Sequence, residues 1–123
     1  MLDTTFVVDH GRNVPAAVER LREIYENGDD PLVTSVVVSE AWVGSRLPDD
    51  PDLELFMRYL EYIHPGPETA RLAGLYRAHA SRRGFTLGLA DALIAAVAFH
   101  LGATVLTRNV RDFALTPVRV ETY

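Results

Sequence analysis

The stretch Leu89–Leu101 (LADALIAAVAFHL) is apolar almost throughout, with Asp91 as its single formally charged residue. It falls short of the roughly 18 residues that a membrane span requires. An element that is apolar all round reads as a central, buried helix, so the remainder of the chain has to cover it. Gly102 supplies its C-terminal stop.

What surrounds this segment alternates between short apolar runs and amphipathic helices. Met1-Leu2 allows only a very short opening strand, and Phe6-Val7-Val8 either extends it or begins a helix. Asp9 through Asn13 reads as a compact loop. Val14, Ala17, Val18, Leu21, Ile24 and Tyr25 share one helical face, with Pro15 in the first turn and Asn27-Gly28 as the stop. Leu32–Val38 is rich in β-branched residues, but Thr34 and Ser35 are good N-caps. The preferred reading is a short strand ending near Thr34 and a helix running to Gly44. Pro48–Asp52 forms a turn cluster before a helical stripe of Leu53, Phe56, Met57 and Leu60, which His64-Pro65-Gly66-Pro67 breaks. Leu72, Leu75, Tyr76 and His79 mark another helix, Thr104–Thr107 a strand, and Val118–Val120 a last one. Helices alternating with short apolar strands predict an α/β fold whose parallel sheet is covered on both faces.

Composition narrows the chemistry. With 123 residues, 48% hydrophobic and 24% charged, the chain has the size and make-up of a single globular domain, residues 1–123. It has no Cys, which excludes disulfides, thiol nucleophiles and Cys-ligated zinc or iron–sulfur sites. All 12 basic residues are Arg, so neither a P-loop Lys nor a Schiff-base amine is available. The net charge of −5 argues against broad electrostatic binding to nucleic acid. Asp3 interrupts the apolar start at once, so no secretory leader and no membrane association are expected, and a cytoplasmic setting fits.

Against this background, three acids stand in apolar surroundings. They are Asp3 after the first apolar residues, Glu40 on a helical stripe with Val36, Val37, Ala41 and Gly44, and Asp91 with Ile94, Ala95 and Ala98. A fourth, Asp112, follows the strand Thr104–Thr107. Buried carboxylates are costly unless they are paired or bind a metal. Loops at the carboxyl ends of parallel strands form the ligand crevice, where Asp3 and the Thr107–Asp112 loop would both lie. An all-oxygen cluster suits Mg²⁺ or Mn²⁺ better than Zn²⁺, and points to phosphodiester hydrolysis. Each acid also has a plainer reading. Asp91 caps its helix, Glu40 pairs with Arg71 or Arg77, Asp3 bonds the next helix's amides, and Asp112 is a turn residue. His10, His64, His79 and His100 show no ligand spacing.

Four segments together resemble the acidic motifs of PIN-domain nucleases. They are Asp3-Thr4-Thr5-Phe6-Val7-Val8-Asp9, Thr34–Ala41 (TSVVVSEA), Asp91–Ala98 (DALIAAVA) and Thr107–Phe113 (TRNVRDF). Order and spacing match along nearly the whole chain, and the length resembles that of the VapC toxins of bacterial toxin–antitoxin pairs. The resemblance implies a three-layer α/β/α sandwich with a central, mainly parallel sheet. It implies Mg²⁺- or Mn²⁺-dependent endoribonuclease chemistry by an activated water, with Asp3, Glu40, Asp91 and Asp112 as the metal-binding acids. Asn109 stands where some members carry an Asp, and is assigned a supporting contact. Thr4 and Thr107 would orient the acids, a bound water or a phosphate, or else cap helices. The same resemblance implies a homodimer and a complex with a cognate VapB-type antitoxin, with Trp42, Phe56 and Tyr59 as contact candidates if they are not core residues. Arg12, Arg46, Arg108 and Arg111 are candidates to line an RNA path. Two other classes stay open: a catalytically silent PIN-like binding module, and a phosphatase or phosphoacceptor built on Asp3 with Arg108 in place of a Lys.

Overall fold

The computed structural model of the chain describes residues 1–45 and 49–123. Its sheet is built from very short strands, and its first row lies in the middle. β1 (Leu32–Thr34) pairs in parallel with β2 (Glu61–Ile63), and β3 (Val105–Leu106) in parallel with β4 (Val120–Glu121). Met1–Asp3 joins the two pairs. The Leu2 N–H donates to the Leu32 carbonyl at 2.8 Å, and Leu2 forms a parallel bridge with Leu106. The spatial order is therefore β2, β1, Met1–Asp3, β3, β4. The chain winds outward from the first row to β1 and β2, then returns to build the other half. Such a reversal of direction opens a crevice beyond the carboxyl end of the first row, and that row ends at Asp3.

The helices follow from local signals. Asp3 caps α1 (Thr4–Gly11), its carboxylate accepting from the Thr4 N–H at 2.7 Å. Phe6-Val7-Val8 is therefore helical, and so is Asp9, which the sequence reading had left in a loop. α2 (Pro15–Glu26) opens on Pro15 and stops before Gly28, which takes a φ of 74°. α3 (Ser35–Gly44) follows β1 without a loop, as the N-cap pattern suggested, although the Thr34 side chain makes no capping bond. α4 (Pro51–Met57) is capped by Asp50. α5 (Pro67–Arg82), α6 (Leu89–Leu101) and the short α7 (Val110–Phe113) complete the set. Gly102 ends α6 in the left-handed region, at φ 63°.

α6 is central. Ile94, Ala95, Val97 and Ala98 join a main core with Leu2, Phe6, Val33, Val37, Val105 and Phe113. Its other side, Ala92 and Ala96, meets Ala73 and Ala80 of α5 and Leu87. Of the stripe Leu72, Leu75, Tyr76 and His79 that marks α5 in the sequence, Leu75 and His79 are exposed. Small residues carry the face toward α6 because alanines let two helix backbones approach closely. The α/β/α class expected from the sequence holds. The strands at 104–107 and 118–120 contract to Val105–Leu106 and shift to Val120–Glu121.

This seam yields a stability prediction. Ala96 is fully buried among Ala73, Ala80, Leu87 and Ala92, so Ala96→Leu overpacks it and destabilises the protein by about 1–3 kcal/mol. Urea denaturation should show a lower midpoint at unchanged slope; an unmoved midpoint would mean the seam has slack.

Candidate active site

The site grows from Asp3, whose side chain is 2% exposed at the end of the central row. Besides the Thr4 N–H, its carboxylate accepts from the Thr5 hydroxyl at 2.9 Å and the Thr107 hydroxyl at 2.6 Å. Thr107 is itself fully buried, directly after β3, and accepts from the Asn109 N–H at 2.8 Å. Backbone and hydroxyl donors thus satisfy a carboxylate that has been taken out of water, and they fix the β3–α7 turn against the start of α1.

Asp91 lies in the first turn of α6. Its carboxyl is pushed up from an ordinary 3.8 to about 6, first by burial and then by the negative charges of Asp3, Asp112 and Glu40. The other three acids of the sequence motifs therefore all lie within electrostatic reach of Asp91. The Asn109 side-chain amide donates to Asp112 at 2.9 Å and reaches Asp91 at 3.5 Å, bridging the last two.

Glu40 differs from expectation. It is exposed, and its carboxylate accepts from the Thr4 hydroxyl at 2.5 Å. The buried face of α3 is Val37 and Ala41. At about 100° per residue, Glu40 sits roughly 60° round the helix from Val37, on the rim of the apolar stripe rather than within it. The site opens to solvent on this side. The sequence suggestion of Arg71 or Arg77 as partner does not hold: Arg77 donates to the Leu87 carbonyl, and both are exposed.

The donor set is chemically right for a hard divalent cation, being all oxygen and uniformly anionic. As the side chains are placed, no three acids or histidines among the described residues stand close enough to hold an ion. The acids are gathered round a common site without closing on one point. Exposed Glu40, bound through a single hydroxyl, is the member freest to swing inward.

Three residues that the sequence reading passed over belong to the same wall. Thr5 links Asp3 to the Arg108 N–H, which donates to its hydroxyl at 3.3 Å. Asp9 is 3% exposed, and accepts from Arg108 and, at 2.8 Å, from the Tyr123 hydroxyl. That hydroxyl is pushed up to about 12, by burial first and then by its bond to Asp9. One signal was available: Asp9 falls at i+3 from Phe6, so a helix across this stretch puts it on the buried face. Among the other candidates, Arg12 and Arg111 are exposed, and Arg46 lies outside the described residues. Phe56 is buried and stacks on His10 at 4.1 Å between ring centroids, and Trp42 is half-buried against the core. Tyr59, at 67% exposure, alone of the three aromatic candidates stands open.

The profile of the PIN domain matches residues 1–117. The chain belongs to the PIN domain family. Among relatives of this PIN domain, Ribonuclease VapC19 of Mycobacterium tuberculosis is 35% identical over 119 residues, covering 95% of this chain and 94% of its own. The tRNA(fMet)-specific endonuclease VapC of Salmonella typhimurium is 30% identical over 128 residues, covering 98% and 95%. In three dimensions the PIN domain is similar to the VapBC2 complex of Rickettsia felis bound to a promoter DNA fragment. The TM-score is 0.88 at 25% identity, over 100% of this chain and 97% of the other. It is likewise similar to the DNA-bound VapBC of Salmonella typhimurium, with a TM-score of 0.84 at 30% identity over 99% and 96%.

The crowding of acids has a measurable consequence. The native Asp91 carboxyl holds its proton more tightly than the unfolded one, so its contribution to stability is fullest below about pH 4. That contribution is lost as the pH rises through about 6. Asp91→Asn removes this dependence. In metal-free buffer at pH 7 the variant should be more stable than the parent by about 1 kcal/mol, after allowance for partial solvent screening, with the difference shrinking toward pH 4. Thermal melts across that range test this; a difference that does not change with pH would contradict it.

Proposed function

We propose that this PIN domain is an endoribonuclease toxin of the VapC type, hydrolysing RNA phosphodiester bonds with the help of Mg²⁺ or Mn²⁺. The observation that carries the reading is the gathering of Asp3, Glu40 and Asp112 within electrostatic reach of Asp91 at the carboxyl end of the sheet, where burial first and then these three charges raise the Asp91 carboxyl to about 6. Like charges brought together at such expense in a crevice are the mark of a site built for a cation and its substrate. The ribonuclease names carried by relatives at 35% and 30% identity support the same class.

Asp3, Glu40, Asp91 and Asp112 would hold the ion. When bound, it supplies a Lewis acid that lowers the pKa of water and stabilises charge on a phosphate oxygen. The protein's own part is placement. Thr5, Thr107 and the Thr4 N–H fix the Asp3 carboxylate. The Asn109 amide keeps Asp112 turned toward Asp91, and the Thr4 hydroxyl steers Glu40 toward the start of α1. The Thr4, Thr5 and Thr107 hydroxyls are each engaged with a carboxylate, which favours attack by water over a covalent intermediate on one of them.

Association with a VapB-type antitoxin belongs to the same proposal, supported by the VapBC complexes among the structural neighbours; a homodimeric state is included on the family resemblance alone. Exposed Tyr59 is the aromatic contact we assign to the antitoxin. No helix among the described residues is long and apolar enough to cross a membrane, and we place the activity in the cytoplasm, where its RNA substrate would be. The spacing of the acids favours one second reading, a PIN-like binding module without catalysis, because the carboxylates are gathered but not closed.

Cleavage of total cellular RNA by purified protein separates the two. Activity should need Mn²⁺ or Mg²⁺, vanish in EDTA, and fall roughly a hundredfold or more in Asp91→Asn. Cleavage that survives EDTA or Asp91→Asn would contradict the metal-dependent mechanism. A folded, antitoxin-free protein that leaves RNA intact would favour the silent module.

A further inference from the structure

We propose that Asp9 and Tyr123 are positioning residues that hold the Arg108 guanidinium as a phosphate anchor at the edge of the acidic site. The inference rests on the ribonuclease reading and adds residues outside the acid quartet. It starts from an unequal ion pair. The Arg108 Nη2 lies 2.7 Å from Asp9 Oδ1 and 2.6 Å from Oδ2. The Asp9 side chain is only 4% exposed, whereas that of Arg108 is 55% exposed. The anion is sealed in and the cation is left open.

A carboxylate sealed this deeply is unfavourable unless its oxygens are matched by donors. Arg108 and the Tyr123 hydroxyl supply them, and the Tyr123 ring is itself braced edge-on against Phe6 at 4.8 Å between centroids. Asp9 uses one terminal nitrogen of the guanidinium. The planar fork carries five N–H donors in all, and the remainder suit a phosphate. Position agrees with this role. The Arg108 backbone N–H is bonded to the Thr5 hydroxyl, and that hydroxyl to Asp3, so the residue that carries the anchor is rooted one side chain from the acidic site.

The arrangement also answers an electrostatic difficulty. A chain of net charge −5 with four acids in its crevice repels RNA, so a cation beside the crevice is needed to seat a phosphate. An untethered arginine there would be drawn to the accessible acids of the crevice, Glu40 and Asp112, and neutralise them. Asp9 holds the guanidinium through one terminal nitrogen, leaving the quartet anionic and the rest of the fork available.

Binding of a mixed-sequence single-stranded oligoribonucleotide to the Asp91→Asn protein, measured over a salt series, tests the proposal. Arg108→Ala should weaken binding about tenfold and reduce the salt slope by roughly 0.7. Asp9→Asn removes a negative charge, so a simple charge effect predicts tighter binding; positioning predicts binding weaker by several fold. Tyr123→Phe should shift affinity the same way by a smaller factor. Neither change should weaken binding further once Arg108→Ala is present. Melting curves verify folding, and if Asp9→Asn fails to fold, the charge-neutral Tyr123→Phe with Arg108→Ala carries the cycle alone. Tighter or unchanged binding in the folded variants, or losses that add to that of Arg108→Ala, would overturn the proposal. Cleavage by the parent protein is measured alongside. If the parent cleaves RNA and the variants behave as the parent, only the positioning role fails; if the parent neither binds nor cleaves, the ribonuclease reading fails and this inference with it.

Discussion

The Asp3 carboxylate sits where three parts of the chain must meet. It caps α1 through the Thr4 N–H, accepts from Thr5 in the first turn of that helix, and accepts from Thr107 just after β3. Its own N–H donates to the Leu106 carbonyl at 3.2 Å, completing the central row of the sheet. One buried anion therefore fixes the start of the first helix, the register of the first row and the path of the β3–α7 turn. Sheet assembly and site assembly are the same event here. A strand order that reverses at the first row leaves its end open, and the residue at that end is the acid.

The remaining acids arrive on rigid supports. Asp91 comes on the most buried helix among the described residues, and Asp112 on α7, whose entry Thr107 pins through the Asn109 N–H. Glu40 comes from the rim of α3 and keeps the most freedom. Stability and the proposed function pull in opposite directions at this point. Burial and three neighbouring carboxylates disfavour ionised Asp91, yet that ionised form is the one able to hold a cation. The well-packed α5–α6 seam and the main core supply the surplus that lets the crevice remain strained by like charge.

Much of this was readable from the residues. The α6 run from Leu89 to Leu101 is as the apolar pattern drew it, because an all-apolar helix with a glycine stop has few alternatives. The break between β1 and α3 at Thr34–Ser35 is also where the N-cap residue types put it, although the Thr34 hydroxyl makes no capping bond. What stayed hidden was set by tertiary context. β2, Glu61-Tyr62-Ile63, is an edge strand with two exposed residues in three, so no apolar run announces it. The central row pairs through Leu2 on both sides and is too short for any strand pattern. Glu40 was placed one step too far into its apolar stripe. Asp9 reads as a loop residue because Phe6-Val7-Val8 suits a strand as well as a helix; the Asp3 cap, one of the readings the sequence offers, decides for a helix that runs on to Gly11.

The central claim is that Asp3, Glu40, Asp91 and Asp112 form one cation site. Calorimetric titration of Mn²⁺ into the purified protein and into Asp91→Asn, near neutral pH, tests it most directly. The account predicts a saturable isotherm for the parent that Asp91→Asn abolishes or weakens severely, since the variant keeps the fold and loses one charge from the centre of the set. Identical isotherms for the two proteins, or no binding to a folded parent, would contradict it.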